Sequence, residues 1–348
     1  MKYFTFYNKK DVLALTKVRR FETKVGERVL ALSDTTNLEE AIQKSGAKFV
    51  LIGIPEDIGE KANHGIGGTD TAWEPFLSAF LNIQSNDFLE GSNILVLGHY
   101  DFKAISGLID SNALNADERI DAYRHAVNEV DEAVEPLIKL ITQLGKIPIV
   151  IGGGHNNAYP LIRGAAKGLY KNNAVPLASI NCLSLDAQAD FRPLEGRHSG
   201  NGFSYAEEDG YLQKYFILGL HENYLTQNIW LDIVNNPFID FITYEDIFLH
   251  EKKTFLEAIA HATAFTDDTA TGIEVDLKCI EESLCGASTP SGLSSIHARQ
   301  FVSYAAADVK PAYLHICEGA SAMPDGRRSE TTGKLISYLV SDFVKALE

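Results

Sequence analysis

Short, almost uninterrupted apolar runs constrain this chain more than any other feature. FVLIGI at Phe49 to Ile54, ILVLG at Ile94 to Gly98 and IPIVI at Ile147 to Ile151 carry no polar residue at alternate positions. A strand with one face in water alternates apolar and polar side chains; a strand covered on both faces does not. Five more runs of strand length are Leu177 to Leu185, Tyr215 to Gly219, Phe241 to Tyr244, Ile273 to Leu277 and Ala312 to Cys317. Helical periodicity lies between many of them. The clearest case places Ile120, Tyr123, Val127, Val130, Val134, Leu137, Ile141 and Leu144 at steps of three and four, with Gly145 as a stop and Pro148 beyond. Phe255 to Ala264, Ala298 to Ala307 and Thr332 to Leu347 also read as helices. Strand and helix alternate without a low-complexity linker or internal repeat. This predicts a single α/β domain over residues 1–348, built on a mainly parallel eight-stranded sheet with helices on both faces. A closed (β/α)₈ barrel is the alternative. In either case ligand chemistry belongs at the C-terminal ends of the strands.

Charge narrows the partners. Lys and Arg number 31 against 47 Asp and Glu, a net charge of −16. Such a surface repels phosphate backbones, and the densest basic clusters are only Lys17 to Arg20, Lys252–Lys253 and Arg327–Arg328. Nucleic acid is therefore not an expected partner. Nor is a membrane, because no apolar stretch reaches the roughly 18 residues that a spanning helix needs. The opening MKYFTFYNKKDV lacks the basic-then-apolar plan of a secretion signal. Cys182, Cys279, Cys285 and Cys317 show no CxxC spacing and read as buried, reduced thiols, so the expected location is cytoplasmic.

Polar residues interrupt the strand ends in three places. In IPIVIGGGHNNAYP a strand ends at Ile151, three glycines permit a tight turn, and His155 stands next, at a helix start. A turn carrying a surface imidazole is the plain alternative; the segment is neither a Walker loop nor a GxGxxG fingerprint. In SINCLSLDAQADFRP, Asp186 closes a hydrophobic strand and Asp190 comes four residues later. Two carboxylates at the tip of a buried strand need a cation or backbone N–H groups, and an oxygen-rich set suits a hard divalent ion. In TGIEVDLKCI, the two-residue period puts Glu274, Asp276 and Lys278 on one face. There an internal ion pair with Lys278 competes with a metal as the explanation. Together the segments predict that His155, Asp186, Asp190, Glu274 and Asp276 converge on one cation.

The order GGGH, then DAQAD followed by Phe-Arg, then GIEVD resembles the ureohydrolase family of arginases, agmatinases and formimidoylglutamases. Its usual pattern is GG-D/G-H, DAHxD and DxD. The segment IGIPEDIGEKANHGIGGTDTAWEPF is similar to that family's first strand and long Gly-rich loop, and SGLSS at Ser291 to Ser295 to its GGL(T/S) turn. SGNGF, from Ser199 to Phe203, resembles the substrate-loop segment SGTPF of the formimidoylglutamase branch. The likeness runs in collinear order from about residue 48 to 320. It implies an arginase-like three-layer αβα fold and hydrolysis of a guanidine or amidine C–N bond with the help of two Mn²⁺ ions. It further implies assembly into a homo-oligomer.

Carried over residue by residue, the resemblance makes His155, Asp186, Asp190 and Asp276 metal ligands, with Glu274 where a bridging Asp is expected. Gln188 stands where the family has a metal-binding histidine, and a neutral amide is a poor substitute. LKCIEES replaces an acidic, proline-bearing segment and brings Lys278 near the site. His297 stands where arginases and agmatinases hold the substrate's cationic group with a glutamate. His198 precedes SGNGF and is a candidate proton donor, an exposed loop histidine being the alternative. The catalytic candidates are thus His198, Asp186 and His297. The expected cofactor is Mn²⁺, one ion rather than two, or none. Two functions remain open: hydrolysis of a small linear amidine such as N-formimidoyl-glutamate, giving glutamate and formamide, and a catalytically silent scaffold with a binding or structural role.

Overall fold

The computed structural model describes residues 1–348. All eight apolar runs become strands of one sheet: β2 (Phe49–Gly53), β3 (Ile94–Tyr100), β4 (Ile147–Ile151), β5 (Ile180–Leu185), β6 (Leu212–Leu220), β7 (Ile239–Thr243), β8 (Ala270–Asp276) and β9 (Lys310–Cys317). They run parallel wherever they pair. A ninth strand, β1 (Phe4–Phe6), adds to one edge antiparallel to β3. Three residues are too few to carry a readable period, so this strand has no sequence signal of its own. The order β1-β3-β2-β4-β9-β8-β5-β6-β7 leaves two edges and is an open sheet, not a barrel.

Near-continuous hydrophobicity has the expected cause. Along β2, Phe49 and Leu51 enter a core of 46 buried residues on one face, while Val50 and Ile52 enter one of 45 on the other. β5 divides likewise, with Leu183 and Leu185 on the first face and Ile180 and Cys182 on the second. Each such aliphatic side chain contributes about 1.5–3 kcal/mol by leaving water. Helices Trp73–Leu81, Phe255–Thr266, Ser295–Asp308 and Thr332–Ala346 cover the first face; Ala116–Gln143 and Ala158–Lys171 cover the second. This is a three-layer αβα arrangement. The long helix starts four residues before the periodic run, because Asn115 accepts the Glu118 N–H at 2.9 Å as its cap. It stops where expected, with Gly145 at φ +70°. No helix is long and apolar enough to cross a membrane.

The polar strand ends are brought together by the strand order. β4, β9, β8 and β5 are neighbours at the middle of the sheet, and their C-terminal ends share one rim.

Candidate metal centre

Each polar strand end is fixed by its own local turn. After β4 the chain turns through Gly152 and Gly153, at φ +91° and +80°. A Cβ on Gly153 would lie 2.4 Å from Asn157 Nδ2 and 2.7 Å from Glu56 Oε1, so no larger residue fits. Glu56, in the loop after β2, accepts from Gly154 N at 2.9 Å, Asn157 Nδ2 at 2.7 Å and Ile58 N at 2.7 Å. Burial nevertheless pushes its carboxyl up to about 7. His155 lies on a short 3₁₀ turn and donates its backbone N–H to Glu318 Oε1 at 2.8 Å.

The aspartates divide their labour between their two oxygens. Asp186 Oδ1 accepts Gln188 N at 2.8 Å, and Asp276 Oδ1 accepts Lys278 N at 2.6 Å, each closing a turn. The second oxygens point to His155. Its Nδ1 lies 2.8 Å from Asp190 Oδ2, 3.1 Å from Asp186 Oδ2 and 3.6 Å from Asp276 Oδ2. All four side chains are buried, and none of these nitrogen or oxygen atoms meets the geometry of a hydrogen bond. Close approach without hydrogen bonding is what a shared cation between them would leave, and the four ligand atoms lie within 4.8 Å of one another. Burial, and then repulsion from Asp276 and Asp190, pushes the Asp186 carboxyl well up, so the trio calls for positive charge.

Glu274 meets the same imidazole through its other nitrogen. Its Oε2 stands 3.5 Å from His155 Nε2, on the opposite side of the ring, and 2.5 Å from His315 Nδ1. Tyr313 donates its hydroxyl to Oε1 at 2.8 Å. Burial opposes ionisation of Glu274, but the His315 and His155 rings outweigh it and hold its carboxyl at about 2. Cys317 completes a second ligand group with His155, Glu274 and His315. The sequence reading missed Tyr313, His315 and Cys317. The signal was there: in AYLHIC they share one face by the two-residue period, and the register sets His315 opposite Glu274. Glu318, immediately past β9, was missed too.

Lys278 sits in the 3₁₀ turn after β8, and its ammonium turns to Asp276 Oδ2 at 3.4 Å and Glu318 Oε2 at 3.3 Å, not to Glu274. Burial works against that charge, yet Asp276 and Glu318 keep its pKa well above the ordinary value. Beside it Glu60 is buried with neither carboxylate oxygen hydrogen-bonded, and burial with the Glu318 charge pushes it to about 8. Gln188 is only partly buried.

The two candidate catalytic histidines stand apart from the trio. His198 is fully buried, not an exposed loop residue. Its Nδ1 accepts Gly200 N at 3.0 Å, Nε2 lies 3.3 Å from Glu195, and burial lowers its pKa to about 4. It connects to the centre indirectly. Asn201 Oδ1 accepts both His198 N and Arg197 Nη1 at 3.0 Å, and Arg197 Nη2 donates to Asn156 O at 2.8 Å, next to His155. His297 is held in the capping box of helix Ser295–Asp308, where Ser294 N donates to its Nδ1 at 3.3 Å. Its ring packs against Phe248 and Phe255, and it makes no ion pair or hydrogen bond with the carboxylates.

Comparison with known proteins places this geometry. Residues 47–343 match the family model described as "Arginase family". A formimidoylglutamase of Streptococcus gordonii is 26% identical over 237 residues, 66% of this chain and 64% of that protein. One of Streptococcus pyogenes serotype M6 is 29% identical over 146 residues, 40% of this chain and 43% of that one. The chain thus spans less than two thirds of the length of these relatives. Among solved structures, formimidoylglutamase of Bacillus subtilis superposes with a TM-score of 0.69 at 18% identity, covering 95% of this chain and 94% of that one. Formiminoglutamase of Trypanosoma cruzi, solved with Mn²⁺, gives 0.68 at 18%, covering 94% and 98%. These structural likenesses speak for the fold.

Proposed function

This chain belongs to the arginase family, and from that premise we propose that it hydrolyses the C–N bond of a small linear amidine in a metal-dependent reaction, N-formimidoyl-glutamate being the favoured substrate. The observation that carries this reading is the set of four buried, unbonded ligand atoms on His155, Asp186, Asp190 and Asp276. One imidazole and three carboxylates suit a single Mn²⁺ ion. Such an ion supplies Lewis acidity that makes water a nucleophile at neutral pH.

The chain's own groups would do the rest. Glu318 and Glu56 fix the backbone around His155, so the imidazole does not have to reorganise on binding. His198 is neutral near pH 7, since burial holds it at about 4. With Nδ1 accepting from Gly200, its ring proton is on Nε2 beside Glu195; a neutral imidazole does not give that proton up near pH 7, so His198 holds the loop before SGNGF and the protons for the leaving nitrogen come from the added water. Water adds to the amidine carbon, the C–N bond to glutamate breaks, and the amine departs protonated while formamide forms. A silent scaffold is the second reading, and Lys278 paired with Asp276 favours it. Incubating Mn²⁺-loaded protein with N-formimidoyl-glutamate and monitoring formamide by NMR separates the two. Metal-dependent release that is lost on His155→Ala and Asp186→Ala is expected; no release at any Mn²⁺ concentration would leave the scaffold reading.

A further inference from the structure

We infer that the Lys278 ammonium is a built-in countercation that limits the carboxylate cluster to one divalent ion. This deepens the metal-dependent reading and rests on it. The wall of the centre holds acids on two sides of Asp276. On one side Asp186, Asp190 and Asp276 face His155 Nδ1. On the other, Asp276, Glu318 and Glu60 surround Lys278, the first two at 3.4 and 3.3 Å. Asp276 Oδ2 is common to both groups. A second divalent ion that shared Asp276 with the first would need the acids on its far side, and an ammonium already stands among them.

The lysine is not a surface residue that strays inward. It is only 8% exposed, and Asp276 accepts its backbone N–H at 2.6 Å, so one tight turn sets both its charge and its counter-charge. A buried ammonium is tolerated only where carboxylates compensate its charge, and here two form ion pairs with it at 3.4 and 3.3 Å. Glu318 ties the arrangement to the metal side, because its other oxygen accepts the His155 N–H. On the other side of His155 the group with Glu274, His315 and Cys317 is closed by its own contacts, since Glu274 accepts the Tyr313 hydroxyl and lies 2.5 Å from His315 Nδ1, and Gln188 offers only a neutral amide.

Metal content decides the matter without any assay of turnover. Wild type, Gln188→His, Lys278→Asp and the double variant would be dialysed to equilibrium against MnCl₂. Ions per chain would be counted by elemental analysis, folding checked by circular dichroism, and Mn²⁺ spins read by electron paramagnetic resonance. We expect one ion in wild type and in Gln188→His, with the resolved signal of an isolated ion, and two in the double variant with a spin-coupled signal. If Lys278→Asp fails to fold, Lys278→Met removes the charge, keeps the apolar stem and serves in its place. Two ions in wild type, or one in a folded double variant, would overturn the lysine's role and leave the metal-dependent reading standing. None in wild type but one after losing Lys278 would do the reverse, keeping the lysine as the competitor and removing the metal-dependent reading. None in any variant overturns both.

Discussion

The ion pair between Arg197 and Asp131 gives the most direct test of how the loop before SGNGF is held. Arg197 Nε and Nη2 meet the two Asp131 oxygens at 2.9 and 3.2 Å, with Arg197 only 2% and Asp131 5% exposed. At an effective dielectric of about 20, opposite charges roughly 3 Å apart attract by about 6 kcal/mol, and the cost of burying both charges removes much of that. Taking away one partner leaves the other charged and buried, which costs about 3–5 kcal/mol. Asp131→Leu should fall in that range. Arg197→Met should cost more, since it also loses the bonds to Asn156 O and Asn201 and the stacking of the guanidinium on Tyr159 and Tyr205 at 4.7 and 5.0 Å. Unfolding entropy of about 2.1 cal/mol/K per residue, taken over 348 residues, converts a loss of about 4 kcal/mol into a Tm drop of roughly 5 °C. The double variant should cost less than the sum of the singles by at least about 2 kcal/mol. Urea unfolding of all four proteins measures this. Singles below about 1 kcal/mol, or a strictly additive double, would refute the claim that the pair is a desolvated unit.

Three further outcomes are expected. Asp186→Ala and His155→Ala should each weaken Mn²⁺ binding by more than tenfold in isothermal titration, because each removes a ligand from a small set; an unchanged affinity would place the ion elsewhere. Gly153→Ala should lower stability by more than about 1 kcal/mol, as a Cβ there meets Asn157, Glu56 and the Ile54 carbonyl at a positive φ; thermal melting reads it, and a neutral result would mean that the turn can relax. His198 ordinarily titrates near 6.5, and its folded pKa lies near 4. Protonation therefore favours the unfolded chain, and the stability present above pH 6.5 is lost progressively as the pH falls towards 4, by up to about 3 kcal/mol. His198→Gln should flatten that part of the stability curve, and an identical slope in wild type and variant would contradict it.

The legible part of the fold was its layering. A strand such as β2 declares burial on both faces because FVLIG has no polar residue to turn outward, and a helix such as Ala116–Gln143 declares its stripe by steps of three and four. Strand β1 stayed hidden because FTF is stabilised by pairing with β3 and not by its own pattern. In the centre, His155, Asp186, Asp190 and Asp276 could be read because each breaks a hydrophobic run at its end. The burial of Glu274 is legible in the sequence, but its separation from the trio is not: two-residue periodicity gives a face but not the direction of a carboxylate between neighbouring strands. His315, which redirects it, is set by register across 41 residues. Single-strand patterns contain nothing of that kind. His297 illustrates a different limit, since a residue three positions after a serine at a helix start is as well suited to capping as to chemistry.

The place of β9 bears on how such a molecule can be made. It is the last strand in the sequence, yet it sits between β4 and β8 at the centre of the sheet. Until it emerges during synthesis, β1–β4 and β5–β8 can form only two partial sheets with open inner edges, and β9 must enter between them. The proposed ligands come from both halves, His155 from one and Asp186, Asp190 and Asp276 from the other, and meet only at that insertion. Because long-range pairing of this sort is slow and leaves strand edges exposed meanwhile, the nascent chain is most vulnerable to association with its own copies just before β9 emerges. A chain ending before Lys310 should then behave as two loosely joined half-sheets with no centre between them.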